Sequence, residues 1–253
     1  MRAIVTRPEE EARSWVERLR AHGIEAAALP LIRIAGAPDP QALHDAWARL
    51  GRWRAAMFVS GNAVRHFFAA APAGMHFTIQ AWAPGPGTVQ ALRDAGVEAT
   101  RIHGPAGHAQ QFDSQTLWDQ VGAQVRPGDR VLIVRGANGD GAAAGRDWLA
   151  QQVAAAGAAT DAVSAYTRLP PAWGASEQRA AEAAATDGSV WLFSSSEAVA
   201  NLRALVPSGQ WSHARALATH PRIAQAATQA GFGQVIACRP AFDEVLASLQ
   251  SAR

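Results

Sequence analysis

The sequence of 253 residues predicts an α/β protein with parallel sheets covered by helices, arranged as two similar domains. Two observations support this prediction. Short apolar runs alternate with amphipathic helical segments, and one part of the chain repeats another part at a fixed offset. Such alternation is typical of parallel sheets with helical crossovers. At roughly 150 residues per domain, the length fits two modest domains or one large one.

The predicted strands are short runs of apolar or β-branched residues, whose length favours buried strands over helices. They lie at residues 3–5, 55–59, 130–134, 160–165, 189–193, 215–218 and 234–237. Because these runs are separated by helical segments, each is expected to pair in parallel with its neighbours.

Amphipathic helices occupy the intervals between the strands. The first begins after Pro8 and ends at Gly23, the residue types that typically open and close a helix. Its apolar residues follow the i, i+3, i+4, i+7 spacing of one helix face: Ala12, Trp15, Val16 and Leu19. The last helix shows the same spacing in Phe242, Val245, Leu246 and Leu249.

An internal repeat relates residues 60–96 to residues 195–231 at an offset of 135, with 13 identities over 37 positions and no gap. Shared alanines inflate this score. The coincident prolines and glycines carry more weight, because they mark loops and helix ends. These pairs are Pro72 and Pro207, Gly74 and Gly209, Pro86 and Pro221, and Gly96 and Gly231.

A weaker echo relates the segment from Val5 to Arg33 to the segment from Val134 to Arg168. The repeated elements alternate along the chain, so the two domains need not be contiguous. Pro-bearing stretches at residues 33–40 and 163–171 follow the echoed strands and are the predicted crossovers. We therefore predict a discontinuous domain of residues 1–34 and 169–253, and an inserted domain of residues 35–168.

The composition excludes several reaction classes. All 23 basic residues are arginine, so a Schiff-base lysine, a pyridoxal-phosphate anchor and a P-loop lysine are absent. Arginine instead offers a planar fork that suits carboxylate and phosphate, which predicts an anionic ligand. The basic residues are evenly mixed with 21 acids, for a net charge of +2, and predict no nucleic-acid face.

Cysteine, histidine and hydropathy predict a cytoplasmic protein without a metal. The single cysteine, Cys238, allows no internal disulfide, and the eight histidines lack metal-site spacing. Apolar runs reach only about five residues, far below the roughly 20 that span a bilayer. The sequence starts without the apolar core of a signal peptide. We expect no membrane partner.

Two matched turns, each directly after a strand and before a helix, are candidate anion sites. They are Ser60, Gly61 and Asn62 in one half, and Ser194, Ser195 and Ser196 in the other. Such turns point backbone N–H groups and a helix N-terminus at one place, which favours an anion. Plain helix capping is the alternative reading, because serine and asparagine are common N-caps.

A second matched pair of turns lies at residues 84–88 and 219–223, again between strand and helix. Here Thr88 and Thr219 can cap or bind, and Arg222 can meet a carboxylate. The glycine-rich loop from Gly136 to Gly145 lacks the GxGxxG spacing, so we interpret it as a flexible loop rather than a nucleotide site.

Tyr166 is the only tyrosine and ends a predicted strand just before the second crossover. A phenol at this junction could donate a proton or hold a polar ligand atom. An aromatic that merely caps the linker is the alternative.

Nine short stretches carry a family resemblance through their order and spacing. They are VTRP (5–8), PLIRI (30–34), FVSGNAV (58–64), PGPGT (84–88), FDSQTL (112–117), LIVRG (132–136), AYTR (165–168), FSSSEAV (193–199) and THPRIA (219–224). Together they resemble the uroporphyrinogen-III synthase family over nearly the whole chain. Gln115 departs from the pattern, since the family more often has an acid there.

The resemblance implies two flavodoxin- or Rossmann-like domains, a two-stranded linker between them and an active site in the intervening cleft. It also implies a reaction without cofactor or metal. Hydroxymethylbilane, a linear tetrapyrrole with eight carboxylates, is cyclised to uroporphyrinogen III with loss of water and inversion of ring D through a spiro intermediate. The route belongs to haem biosynthesis.

The resemblance further implies a role for each matching residue. Tyr166 corresponds to the family's candidate acid. The expected substrate contacts are Thr6, Arg7, Ser60, Gly61, Asn62, Thr88, Arg135, Gly136, Ser194, Ser195, Ser196, Thr219 and Arg222. A monomer is expected, with possible hand-over of substrate from hydroxymethylbilane synthase. The competing hypothesis is a noncatalytic two-domain module that binds or senses anions.

Overall fold

The computed structural model describes residues 1–105, 114–139 and 148–251, in which strands and helices alternate except for two consecutive strands at residues 25–28 and 33–35. The strands are β1 (Arg2–Val5), β2 (Glu25–Ala28), β3 (Arg33–Ala35), β4 (Ala55–Phe58), β5 (Gln80–Trp82), β6 (Ile102–His103), β7 (Arg130–Ala137), β8 (Ala159–Leu169), β9 (Val190–Phe193), β10 (Arg215–Ala218) and β11 (Gln234–Ala237). The mixed α/β class with parallel sheets is confirmed.

The helices lie between these strands. They are α1 (Glu9–Ala21), α2 (Pro40–Ala48), α3 (Gly61–Ala69), α4 (Pro86–Asp94), α5 (Ser114–Val121), α6 (Trp148–Ala155), α7 (Ala175–Ala184), α8 (Ser196–Leu205), α9 (Pro221–Gln229) and α10 (Phe242–Ser251). Short 3-10 turns occur at Leu50–Arg52, Ala99–Arg101, Gly122–Gln124 and Trp211–His213.

The chain divides into two compact units by its internal contacts. Unit 1 comprises Met1–Ile34 with Leu169–Arg253, and unit 2 comprises Ala35–Arg168. The chain passes from one unit to the other within β3 and near the end of β8. That the units fold as separate domains stays a prediction.

Unit 1 is built on a parallel sheet with the order β11-β10-β9-β1-β2. Its central strand β9 is buried on both faces. Trp191 and Phe193 pack into one hydrophobic cluster, and Val190 and Leu192 into the other. A strand with no solvent face is apolar throughout, which explains the continuous apolar run in the sequence.

Unit 2 is built on a sheet with the order β3-β8-β7-β4-β5-β6, in which β4 to β8 pair in parallel. Ala55 and Met57 of β4 face one cluster. On the other face, Phe58 packs edge-on against Phe67 at 5.5 Å between ring centroids. Trp47 stacks on the same Phe67 ring at 4.8 Å and donates its indole N–H to the Phe67 carbonyl.

The internal repeat has a structural counterpart. Helices α3 and α8 start 135 residues apart, as do α4 and α9. Gly96 and Gly231 follow α4 and α9 in the left-handed region, with φ of 80° and 97°. A side chain is disfavoured at such a φ, so both glycines are needed to turn the chain out of the helix.

Several strands differ from the sequence prediction. The predicted runs at 55–59 and 189–193 are one residue too long, because Val59 and Ser189 lie outside β4 and β9. The run at 160–165 is too short, since β8 extends over Ala159–Leu169. Strands β3, β5 and β6 have only two or three residues and carry no periodic signal.

No helix within the described residues is long and apolar enough to cross a membrane.

Three side chains tie the amino edge of the unit 2 sheet together. Asp161 on β8 accepts hydrogen bonds from both Nε and Nη2 of Arg130 on β7, and from the Trp53 indole N–H at 2.7 Å. The hydrogen bond from Arg130 lowers the pKa of Asp161 below its ordinary value, and the Trp53 hydrogen bond adds to this.

Replacing Asp161 by asparagine is expected to lower the free energy of unfolding by about 1 kcal/mol at pH 7, because the pair is a third or more exposed and screened by water. The native pKa is lowered, so the stabilisation exists above about pH 4 and is lost as pH falls through the native pKa. Urea denaturation of both proteins at pH 7 and at acidic pH measures the effect. A difference that stays constant with pH would contradict it, and Asp119→Asn, at an exposed site on α5, is the control.

Candidate functional site

The carboxyl ends of β4, β5, β7 and β8 lie at one edge of the unit 2 sheet, because these strands are parallel. Ligands of open parallel sheets bind at this edge. Ser60 follows β4, Gly136 lies near the end of β7 and Tyr166 lies near the end of β8. The structure therefore brings these three sequence-predicted residues to the same edge.

Tyr166 lies directly against the backbone of Gly136. The register of β7 on β8 shifts between Arg135 and Gly136, and this irregularity sets Gly136 opposite Tyr166. A Cβ atom added to Gly136 would lie 2.7 Å from Cζ and 3.0 Å from the phenol oxygen of Tyr166. Position 136 must therefore lack a side chain for the ring to occupy its place.

The Tyr166 phenol contacts the start of helix α3. Its oxygen lies 3.1 Å from Oγ of Ser60, the N-cap residue of α3, and either atom can be the donor. Ser60 Oγ also accepts the Ala63 N–H at 3.2 Å. The capping alternative for Ser60 and the functional one are thus both compatible with the structure, because one hydroxyl makes both contacts.

His66, further along α3, stacks on the Tyr166 ring with 5.7 Å between centroids and 27° between planes. We call Tyr166, Ser60, His66 and Gly136 the Tyr166 cluster. Tyr166 is 4% exposed, so the ring is held on several sides and largely shielded from water. Sequence reasoning did not single out His66. Its position six residues after Ser60 matches no motif that would have indicated a contact with Tyr166.

The first turns of α3 and α4 lie side by side in unit 2. A Cβ added to Gly61 would lie 3.6 Å from Ala91 Cβ and 3.7 Å from the Gly87 carbonyl oxygen. The N-cap of α4 is Gly85, not Thr88, and Thr88 is buried within the helix at 6% exposure. Of the two alternatives for Thr88, capping of α4 is therefore excluded, and binding stays a prediction.

Other residues of unit 2 that the sequence singled out interact with neighbouring residues of the same helix or sheet. Asn62 Oδ1 accepts a hydrogen bond from Arg65 at 2.7 Å. Arg135 is half-buried on β7, where it pairs in register with Ser164. Gln115 lies exposed on α5 and donates to Asp119. Phe112, Asp113 and the loop residues from Asp140 to Gly145 lie outside the described residues.

Unit 1 has its own group of residues at the carboxyl edge of its sheet. Arg7, Ser194 and Thr219 follow β1, β9 and β10 and line a small cavity of about 10 Å³, room for a single water molecule. The structure brings these three predicted residues together.

The Arg7 side chain is held by α1. Its Nη1 lies 3.3 Å from a carboxylate oxygen of Glu11, and its guanidinium lies 4.3 Å from the Trp15 ring centroid. Burial lowers the pKa of Arg7, while Glu11 opposes this shift. Sequence reasoning missed Glu11 and Trp15 as partners of Arg7, although the two are four residues apart and therefore lie on one face of α1.

The Thr6 hydroxyl is committed to the fold. Thr6 is 1% exposed, and its Oγ1 donates to the Leu192 carbonyl at 2.6 Å, linking β1 to β9. This contact favours a structural role. The assignment of Thr6 to substrate stays a prediction.

The predicted site residues at the starts of α8 and α9 differ in their hydrogen bonds. Ser195 caps α8 by accepting the Glu197 N–H, whereas Ser196 Oγ is buried without a partner among the described residues. The cap of α9 is His220, whose Nδ1 accepts the Arg222 N–H at 3.1 Å. Of the two alternatives for Thr219, capping of α9 is therefore excluded, and binding stays a prediction. The Arg222 residue itself is exposed.

Two features limit the chemistry of the described residues. No group of histidine, cysteine, aspartate or glutamate within them could hold a metal ion. Burial, with Glu244, raises the pKa of the Cys238 thiol to about 11. A thiol with this pKa is protonated at neutral pH and is a poor nucleophile.

Comparison with known proteins decides the family. The sequence model of uroporphyrinogen-III synthase HemD matches residues 13–247 of the chain. The chain belongs to the uroporphyrinogen-III synthase family. It is therefore an enzyme of haem biosynthesis, a cyclising hydro-lyase, and the family resemblance in the sequence is confirmed. The noncatalytic alternative is set aside.

Solved structures share this fold. A mutant uroporphyrinogen III synthase from the extremely thermophilic bacterium Thermus thermophilus superposes with a TM-score of 0.58 at 16% identity, over 100% of this chain and 98% of that one. The uroporphyrinogen-III synthetase from Helicobacter pylori gives 0.58 at 17% identity, over 100% of both chains. No curated protein sequence matches the chain.

The close approach in the Tyr166 cluster predicts the effect of a single methyl group. We expect Gly136→Ala to lower the free energy of unfolding by about 1–3 kcal/mol, because the new Cβ overlaps the Tyr166 ring. Chemical denaturation measures the loss. Gly51→Ala is the matched control in the same unit, since nothing lies within 4 Å of its Cβ position. Equal stability of the two variants would contradict the close approach.

Proposed function

We propose that Tyr166 is the acid that protonates the departing hydroxyl of hydroxymethylbilane, and that the two sheet edges hold the substrate carboxylates. The family acts on this linear tetrapyrrole. The observation that supports the proposal is the place of the only tyrosine, held at the carboxyl edge of a parallel sheet beside a helix N-terminus.

The first chemical step is a dehydration. The Tyr166 phenol gives its proton to the hydroxyl of the hydroxymethyl group on ring A, the carbon–oxygen bond breaks and water leaves. The lone pair of the ring A nitrogen forms the new double bond toward the exocyclic carbon, so that ring A becomes an electrophilic azafulvene. Two electrons move with the leaving group and none is lost, so the step needs no oxidant or reductant.

Ring inversion follows from where the electrophile is attacked. The substituted alpha carbon of ring D, at the other end of the tetrapyrrole, attacks the exocyclic carbon of ring A and forms a spiro intermediate. The bond from this ring D carbon to the bridge carbon of ring C then breaks, and the bridge carbon bonds to the free alpha carbon of ring D, which gives the inverted isomer. A proton lost on restoring the aromatic pyrrole returns to the Tyr166 phenolate, which restores the enzyme.

The main task of the protein is to impose conformation. Free hydroxymethylbilane closes spontaneously to the uninverted isomer, so the enzyme must hold the reacting carbons close together and exclude the competing geometry. Correct positioning of this kind contributes large rate factors. We assign it to backbone N–H groups at helix starts, which favour carboxylates, and to arginine side chains.

Each sheet edge supplies its own contacts. In unit 2 we assign Gly61, Asn62, Thr88, Arg135 and Gly136 to substrate binding. In unit 1 we assign Thr6, Arg7, Ser194, Ser195, Ser196, Thr219 and Arg222. The exposed Arg222 and the half-buried Arg7 are the cationic members of the second set, and both suit carboxylates.

We further propose a monomeric enzyme in the cytoplasm that receives its substrate from hydroxymethylbilane synthase. The reason is the instability of the substrate, since rapid transfer limits spontaneous closure. Sedimentation at several protein concentrations tests the monomer, and a mass that rises with concentration would contradict it.

A coupled assay tests the role of Tyr166. Porphobilinogen and hydroxymethylbilane synthase supply the substrate, and the type I and type III uroporphyrins are separated after oxidation. We expect Tyr166→Phe to lower the rate of type III formation by about a hundredfold, the scale of general acid catalysis, so that type I accumulates. KM should change little, because the phenylalanine ring keeps the shape.

Thermal unfolding of the same Tyr166→Phe protein checks that it is folded. Full type III turnover by a folded Tyr166→Phe enzyme would remove the acid assignment. Type I alone from the wild-type enzyme would remove the proposed reaction.

A further inference from the structure

We propose that Ser60 is a positioning residue that joins the N-terminus of α3 to the Tyr166 phenol through a chain of two hydrogen bonds. The chain runs from the Ala63 N–H to Ser60 Oγ, and from the Ser60 hydroxyl to the phenol oxygen of Tyr166. This inference rests on the proposed function of Tyr166 as the acid.

The hydrogen-bonding capacity of Ser60 sets the direction of the chain. A serine hydroxyl has one proton to donate and two lone pairs that accept. One lone pair of Ser60 accepts the Ala63 N–H at 3.2 Å. Its proton is then available to the Tyr166 oxygen, 3.1 Å away.

The proposed chemistry requires this direction. An acid must point its own proton at the leaving group, so the Tyr166 oxygen has to accept from Ser60 rather than donate to it. With Ser60 as donor, the phenol proton is directed away from α3. The same Ser60 proton then remains as a donor to the phenolate that forms when Tyr166 gives up its proton.

The first turn of α3 strengthens this donor. Helix N-termini carry a partial positive charge that favours nearby anions, and α3 has nine residues. Linked hydrogen bonds polarise one another in a low-dielectric environment. Ser60 therefore links the positive end of α3 to the Tyr166 phenol through its hydroxyl.

The rest of the Tyr166 cluster keeps the phenol in register with Ser60. Gly136 leaves room for the ring, and His66 stacks on it. The proton balance of the step is unchanged, since Ser60 keeps its own proton throughout. Ser60 stabilises the phenolate until the substrate returns a proton to Tyr166.

Variants of Ser60 separate positioning from helix capping. Ser60→Gly removes the hydroxyl but keeps an acceptable N-cap, and Ser60→Thr keeps the hydroxyl. We expect Ser60→Gly to lower kcat for type III formation about tenfold or more, the scale of a hydrogen bond to a charged group, with KM unchanged. Ser60→Thr should restore most of kcat.

The phenol itself gives a readout that is independent of turnover. Tyr166 is the only tyrosine, so incorporation of 3-fluorotyrosine yields a single ¹⁹F resonance. We expect Ser60→Gly to move the titration midpoint of this phenol upward by about one pH unit, a tenfold change in its ionisation constant. Loss of a donor to the phenolate causes this direction.

Every variant keeps the charged and titratable side chains of α3, β3, β7 and β8. They are Arg65 and His66 on α3, Arg33 on β3, Arg130 and Arg135 on β7, and Asp161 and Arg168 on β8. Asp39→Gly is the matched control, because it removes the side-chain cap of α2 in the same unit. It should change neither the midpoint nor kcat.

Three results would overturn the proposal. The first is an unchanged midpoint and kcat in Ser60→Gly. The second is a raised KM with unchanged kcat, which would make Ser60 a substrate contact. The third is the same shift in Asp39→Gly, which would make the effect one of stability.

Failure of the proposed function is a separate result. A fully active Tyr166→Phe enzyme removes the acid role, whereas the midpoint shift would still support the hydrogen-bond chain.

Discussion

The ring of Tyr166 lies against the bare backbone of Gly136, and the proposed chemistry depends on this close approach. The register shift between Arg135 and Gly136 brings the two residues opposite each other, and only glycine leaves space for the ring. Once the ring is in place, its hydroxyl reaches Ser60 at the start of α3. A strand irregularity thus fixes the position of a phenol relative to a helix N-terminus, and irregularities of this kind commonly redirect functional side chains.

The parallel sheets account for where the other candidate residues lie. Parallel strands need helical crossovers, so each strand end is followed by a turn and a helix start at the same edge. In unit 1 this rule groups Arg7, Ser194 and Thr219 around one small cavity. In unit 2 it groups the Tyr166 cluster. A substrate rich in carboxylates matches such edges, because every helix start offers N–H groups that are not used within the helix.

The sequence predicted the α/β class and most of the long elements, because strands buried on both faces are continuously apolar and because proline and glycine mark the helix ends. Helices α4 and α9 both begin at a proline, and these prolines are among the matched positions from which the internal repeat was detected. Short strands such as β5 and β6 were missed, since two or three residues show no periodicity.

The site was only partly predictable. Tyr166 was a candidate because it is the only tyrosine, and Ser60 because it precedes a predicted helix. Their hydrogen bond depends on the register of β7 on β8, which no local sequence pattern predicts. Thr6 was predicted to contact substrate, but its hydroxyl donates a hydrogen bond to the Leu192 carbonyl on β9, a strand far away in the sequence.

The central claim is that the Tyr166 phenol meets the tetrapyrrole at the carboxyl edge of the unit 2 sheet. The most direct measurement is the NMR signal of ¹³C-labelled tyrosine during titration of the full-length enzyme with uroporphyrin III, a stable oxidised form of the product. With one tyrosine in the chain, one Cζ resonance reports on this phenol alone. We expect the resonance to shift and to saturate together with binding measured by porphyrin fluorescence. Saturable binding that leaves the Tyr166 resonance unmoved would place the ligand elsewhere and contradict a role of Tyr166 at the substrate.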